Sequence, residues 1–366
     1  MVDQTKRISW FKQRKWRIAL VVMMAVLVVW GGLRWDRRRR ALYRVTILPT
    51  LGGKGSAPRA INDRGQVVGM SQTANGEFHA FLWDRTHGIE DLRKLGGVCG
   101  INNAGWIAGA MSDPNEESKA FIRDPNGAVH FLGDLGGGRS TARALSNRNQ
   151  VTGTSVDAKG LRYAFIWDQA NGMRSIMELP GQNYWVKAIN DAGQVLGSAD
   201  TATQLCQPFL WDPNEGLLDI GAIAESVLTL HDRTGLLGQH RISLAKGRFM
   251  VLWGKEKGIE ELFPLDHGCS SDEILVNDAN QVIYTECLPS RWERFGGPFD
   301  RLRERRILWD PKQGKINLDR YLPWRLRKSF VPLDMNSQGY IIGYAVKGKE
   351  TPVGLLLEPI PKKWEK

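Results

Sequence analysis

At 366 residues the chain is long for one average domain, but closed β architectures and repeat folds reach this size as a single unit, so length excludes neither. Its 40 Gly and 14 Trp suit many tight turns between aromatic-rich strands and lean the reading towards an all-β fold. A net charge of +11 invites a nucleic-acid reading that the charge distribution excludes: residues 1–44 carry twelve bases against two acids, and the other 322 residues are left with a net of only +1.

In chain order, the first feature is an uncharged run, Ile18 to Leu33, between Arg17 and Arg34 and flanked by Trp16 and Trp35. Its sixteen residues are short of the roughly 20 that span hydrocarbon, but terminal arginines can snorkel and tryptophans suit the interface. No A-x-A-like cleavage site follows, and the next residues are bulky and basic. The expectation is therefore a basic cytoplasmic tail over 1–17, a transmembrane signal anchor over 18–35 and a basic juxtamembrane linker over 36–44. A folded body over 45–366 then lies on the extracytoplasmic side of the cell membrane. Cleavage of the leader and secretion is the alternative.

From residue 45 onward the chain repeats. Ala60-Ile61-Asn62-Asp63-Arg64-Gly65-Gln66-Val67-Val68-Gly69 recurs around Asn102, Ser146, Asn190, His231, Asn277 and Asn336, at spacings of 40, 44, 44, 41, 46 and 59. Each copy is followed by a second signature, best seen in Ala80-Phe81-Leu82-Trp83-Asp84, Ala164-Phe165-Ile166-Trp167-Asp168 and Pro208-Phe209-Leu210-Trp211-Asp212. A third, such as Leu92-Arg93-Lys94-Leu95-Gly96-Gly97, closes the unit, giving four short strands per repeat. The turns have causes: Asn-Asp-x-Gly tolerates positive φ, and Asp-Pro-Asn-Gly at Asp124 to Gly127 is β-turn chemistry. A glycine recurs in the second strand (Gly69, Gly109, Gly153, Gly197, Gly238, Gly343), for which close approach by the recurring Trp is the expected reason. The tryptophans themselves read as packing between repeats.

The ends set the architecture. After the seventh copy the chain stops without a fourth strand, whereas Val45 to Gly53 resembles that strand ahead of the first copy. The expectation is an all-β, seven-bladed β-propeller of four-stranded blades, preceded by one N-terminal transmembrane helix and closed by strand 45–51.

These motifs resemble the extracellular HAF-repeat family, whose His-Ala-Phe triplet stands here at His79-Ala80-Phe81. The resemblance covers nearly all of the chain after residue 44; only the first unit keeps the histidine, and the last three drift. It implies an exported β-propeller-like protein and brings no catalytic residues. The Trp83-Asp84 and Trp167-Asp168 dipeptides are also similar to those of WD40 propellers, as likeness of architecture.

Chemistry is harder to find. The six histidines show no metal-ligand spacing, there is no nucleophile elbow, phosphate loop or calcium loop, and no cofactor is expected. Of the four cysteines, Cys269 and Cys287 stand eight and seven residues from the Asn277-Asp278-Ala279-Asn280 turn, so they could bridge in an oxidising compartment; two unpaired buried thiols fit as well. Function is expected where regularity breaks. The gap of 59 residues holds an insertion from about Leu288 to Arg305 with Arg291, Trp292, Arg294 and Phe295, and a second irregular stretch carries Trp324 and Arg325. Tryptophan with arginine is typical of binding hot spots, and a solvated loop capping the blade is the competing reading. The favoured function is a membrane-tethered module that binds a protein or glycan through these residues. A propeller enzyme acting on glycans through funnel carboxylates, or an envelope scaffold, is the alternative.

Overall fold

The computed structural model describes residues 42–361 apart from 94, 113–116, 177–183, 201–206, 219, 221–225, 232–234, 244–246, 255–257, 265–268, 289–302 and 347–350. Residues 45–358 form one compact unit, and in the flanking stretches the Ile360 N–H donates to the Leu42 carbonyl at 2.8 Å.

The larger unit is all-β, its strands grouped into seven four-stranded sheets. The first runs in chain order through Gly52–Ile61, Val67–Thr73, Phe78–Asp84 and Gly88–Asp91. The next five repeat this meander. The last borrows: Val331–Met335, Ile341–Val346 and Pro352–Pro359 are completed by Tyr43–Ile47 from the other end of the chain. The seven first strands begin at Gly52, Gly97, Gly136, Tyr184, Ser226, Cys269 and Val331. Each packs against the first strand of the next sheet, and Val331–Met335 returns to Gly52–Ile61, so they are the innermost circle of a closed propeller.

Period-two alternation explains why the third strands look as they do. Ala80 and Leu82 face the core shared with the second sheet, while Phe81 and Trp83 face the core shared with the last sheet, among Leu48, Ile61, Val67, Ile342 and Leu356. Trp167, Trp211 and Trp309 likewise pack into cores between adjacent sheets. The tryptophans are inter-blade packing groups.

The recurring glycine has a different cause from the one expected. A Cβ at Gly69 would stand 2.3 Å from the Ala57 carbonyl oxygen and 2.9 Å from the Phe81 ring, and one at Gly109 would stand 2.3 Å from the Gly97 oxygen and 2.8 Å from Phe121. What crowds the glycine is the first-strand backbone beside a bulge, together with the phenylalanine directly opposite (Gly69↔Phe81, Gly109↔Phe121), not the tryptophan. In the last sheet Leu355 stands opposite Gly343, and Phe330, which precedes the first strand, supplies the ring 2.7 Å away instead.

Two further expectations are corrected. The Leu-x-x-Leu-Gly-Gly signature is not a fourth strand; those strands are Gly88–Asp91 and Val129–Phe131, and Leu92 and Leu95 lie in the connector, buried between the first two sheets. Correspondingly, the closing strand is Tyr43–Ile47 rather than 45–51, extended by the Leu48 N–H donating to the Gly354 carbonyl at 2.9 Å. No helix among the described residues is long and apolar enough to cross a membrane, the helical segments there being two 3-10 turns at Leu318–Arg320 and Arg327–Ser329; the expected transmembrane helix falls elsewhere. Sixteen apolar residues were short for a span, and 18–35 lies outside the described residues.

Candidate functional site

Antiparallel meanders put the first-to-second and third-to-fourth turns at one end of the propeller, and the second-to-third loops and inter-sheet connectors at the other. The strand ends that flank the 289–302 insertion and the connector over 318–330 share that second end. Leu288 pairs with Arg303 at the base of the 289–302 insertion, and the connector over 318–330 leads from the sixth sheet into the seventh. Arg291, Trp292, Arg294 and Phe295 lie outside the described residues.

Trp324 and Arg325 are described and sit together. Trp324 is 74 % exposed, and the Arg325 guanidinium lies over its ring at 5.0 Å. Their connector is fastened from beneath by Arg306, which is 4 % exposed and stands where other repeats carry Ala80, Ala120 or Ala164. Its Nε donates to the Phe330 carbonyl at 2.8 Å, its Nη2 to the Arg327 carbonyl at 2.5 Å, and Asp319 lies 3.7 Å away. Burial pushes the Asp319 carboxyl above its ordinary range, although Arg306 pulls the other way. Arg327 donates to the Leu322 carbonyl at 2.9 Å, and Leu322, Leu326 and Phe330 are buried. The exposed tryptophan therefore stands on a fixed platform. The Arg306 substitution was visible in the sequence as a charge inside a strand core, yet only the fold shows what it holds.

The register pairs Cys269 with Glu286, one position from Cys287, and both side chains lie outside the described residues. Burial pushes the Cys99 thiol up to about 12, so it stays protonated at neutral pH.

The opposite end carries a cleft that sequence reasoning missed. It encloses about 360 Å³ at the seam between the first and last sheets, walled by Arg64, Trp83, Arg85, Tyr340, Leu356 and Glu358 among others. It has a topological cause. Six sheets fill this level with a third-to-fourth turn, such as Asp84 to Gly88, whereas the last sheet takes its fourth strand from the other end of the chain and has none. Glu358 occupies the position of the turn-capping Asp and is free to reach elsewhere: it accepts from the Thr46 hydroxyl at 3.2 Å and pairs with Arg85 of the first sheet. The neighbouring Asp84 accepts the Thr86 and His87 N–H groups and holds the His87 ring at 2.9 Å. Glu358 and Asp84 thus latch and cap, and no metal-binding group of His, Cys, Asp and Glu occurs among the described residues.

No family model matches the chain, and no curated protein matches it in sequence. Solved structures do resemble it. The β-propeller domain of the Trilobed protease from Pyrococcus furiosus aligns at TM-score 0.52 and 9 % identity, over 83 % of this chain and 95 % of that one. Acylaminoacyl peptidase from Pyrococcus horikoshii gives 0.53 and 8 %, over 84 % of this chain but 52 % of the peptidase. An inactive variant of virginiamycin B lyase from Staphylococcus aureus gives 0.50 and 11 %, over 87 % and 100 %. At such identities the likeness is one of fold: the chain is a β-propeller.

Proposed function

We propose that this propeller is a binding module whose contact surface is the end carrying the 289–302 insertion and the 318–330 connector. One observation carries the reading: Trp324, 74 % exposed with Arg325 stacked on it, is presented by a loop that a buried arginine locks in place. An aromatic–cation pair held in one geometry loses little conformational freedom on binding, which is what makes such residues hot spots. Arg320, Arg325, Arg327 and Lys328 on this connector favour an acidic protein or glycan partner. Membership of the HAF-repeat family and display outside the cytoplasm are part of the same proposal, supported by the repeat motifs; protease digestion of intact cells that spared the propeller would argue against the location.

A combined peptide and glycan array probed with the full chain tests the binding claim. The expected result is an acidic ligand whose affinity falls about tenfold or more in Trp324→Ala, roughly 1.4 kcal/mol or above. Binding that ignores both Trp324→Ala and Arg325→Ala would move the function away from this end.

A further inference from the structure

The walls of the seam cleft hold hydrogen-bonding groups that other sheets satisfy internally. In the fourth and sixth sheets the glutamine that closes the first turn accepts from the turn asparagine (Asn190 to Gln194 and Asn277 to Gln281, at 2.9 and 2.8 Å). The same glutamine donates to the third-strand aspartate (Gln194 to Asp212 and Gln281 to Asp310, at 2.9 and 2.6 Å). The first sheet keeps half of this arrangement. Gln66 accepts from Asn62 at 2.9 Å, but the His87 ring stands at 2.9 Å from Asp84, and the Gln66 Nε2 has no partner among the described residues. Across the seam Tyr340 takes the place of that glutamine, and its hydroxyl has no partner among the described residues either. Gln338 accepts from Asn336 at 3.1 Å through its Oε1, and its Nε2 is likewise unpartnered among the described residues.

The charges in these walls are already answered. Glu358 pairs with Arg85, Asp84 holds His87, and Asp63 accepts the Ser337 N–H at 2.9 Å and the Asn103 amide at 2.8 Å. The Arg64 guanidinium leans over Gly105 of the second sheet, where the missing side chain leaves it room. A charged ligand would have to compete with those pairs, whereas a neutral one leaves them intact. The apolar part of the wall is held rigid from behind: Trp83 and Leu356 are buried in the core between the first and last sheets, and Tyr340 packs against it. The cleft, about 360 Å³, is near the lower end of the roughly 300–1,000 Å³ of small-ligand pockets, so it has room for a single ring. It joins an aromatic surface to the neutral groups of Gln66, Gln338 and Tyr340, each able to make a further hydrogen bond.

We propose that this cleft binds one neutral sugar ring, free or at the end of a longer glycan, at the end of the propeller opposite the Trp324 rim and independently of what the rim binds. A pyranose has the matching chemistry: hydroxyls around its edge both donate and accept, and the C–H groups of its faces pack on an aromatic ring. Closure makes the room for it, because the last sheet borrows its fourth strand and brings no third-to-fourth turn to fill this level.

The test is saturation-transfer NMR on the full chain with the methyl glycosides of glucose, galactose, mannose and N-acetylglucosamine, each titrated beside a disaccharide that ends in the same ring. Saturable binding of at least one glycoside is expected, unchanged as salt is raised because no charge is paired. Equal affinity for glycoside and disaccharide indicates a free sugar, and tighter binding of the disaccharide a glycan end. The Gln338→Ala/Tyr340→Phe double variant deletes two hydrogen-bonding groups and is expected to weaken binding about tenfold. Should it fail to fold, Gln338→Ala alone, at an exposed position, is expected to weaken binding about threefold. Trp324→Ala is expected to leave it unchanged. Failure of every glycoside to bind, binding that these cleft variants leave intact, or binding lost in Trp324→Ala would overturn the assignment.

Discussion

Asn102 shows how one side chain does two jobs at once. Its Oδ1 accepts the Ala104 and Trp106 N–H groups at 3.1 and 3.0 Å, shaping its own turn, while its Nδ2 donates to the Ser146 carbonyl of the next sheet at 3.1 Å. Asn62, Asn277 and Asn336 repeat the pattern, each donating to the equivalent carbonyl one sheet on. Positive φ in these turns falls three places later, on Gly65, Gly105, Gly193 and Gly339 or on Asn149 and Asn280, so the first asparagine is there for its amide rather than its backbone. Ser146 keeps the capping but has no amide to pass on; the second inter-sheet bond persists there, Asn147 N–H donating to Asp191 at 2.7 Å as Asp63 N–H does to Asn103 and Asn103 N–H to Asn147. Asn102→Asp keeps the acceptor and sets a carboxylate against the Ser146 carbonyl, with an expected loss of about 2–4 kcal/mol in urea unfolding at pH 7. Part of that loss returns as pH falls and the new carboxyl is protonated to a donor; a pH-independent loss would contradict the donor role.

Among the elements, the third-to-fourth hairpins of five sheets are held by one carboxylate each, the fifth sheet carrying Gly254 at that position. Asp124, Asp168, Asp212 and Asp310 accept two turn N–H groups apiece, ahead of Gly127, Gly172, Gly216 and Gly314 in the left-handed region. Burial raises the pKa of Asp168, but the Asn171 backbone and side chain, Arg174 and the Ala170 N–H together draw it below the ordinary value. A carboxyl depressed on folding stabilises the native state above its unfolded pKa and ceases to as pH falls through the folded one. The melting temperature of the native chain should therefore exceed that of Asp168→Asn by most near pH 6–7, with the gap closing below about pH 4. A gap unchanged from pH 7 to pH 3 would remove the charge from the explanation. These hairpins were legible in the sequence because Asp, Pro and Gly act locally. The Leu-x-x-Leu connector was misread as a strand, since a buried apolar pair looks the same in either element until the partner strand is known.

At the scale of the whole molecule, closure is the decisive event. The seam is joined by the Tyr43–Ile47 strand, by Asn336 donating to the Asn62 carbonyl at 3.0 Å, by Ser337 N–H to Asp63 at 2.9 Å, by Asp334 to the Ile61 N–H, and by Arg85 with Glu358. Removing the borrowed strand together with Leu48, which is 1 % exposed, leaves Pro352–Pro359 as a bare edge and a hole in the core beside Ile61, Val67 and Leu356. Deletion of residues 1–48 is expected to lower the melting temperature by about 10 °C or more, or to cause aggregation, relative to a chain lacking only residues 1–41. Equal melts for the two truncations would mean that closure does not rest on this strand.

The sequence by itself determined the repeat, the strand chemistry of each unit and the spare N-terminal strand, because alternation, turn residues and glycine placement are local signals. It also marked Trp324 and Arg325, as departures from a regular pattern. Only the tertiary structure decided what crowds the glycines, that Arg306 fastens the exposed tryptophan, and that a cleft opens at the seam. Gly69 and Phe81 are 12 positions apart, Arg306 and Phe330 are 24 and Arg64 and Glu358 are 294; strand pairing brings the first together, and the closing of the sheets into a circle the last. A spacing along the chain carries no record of that closure.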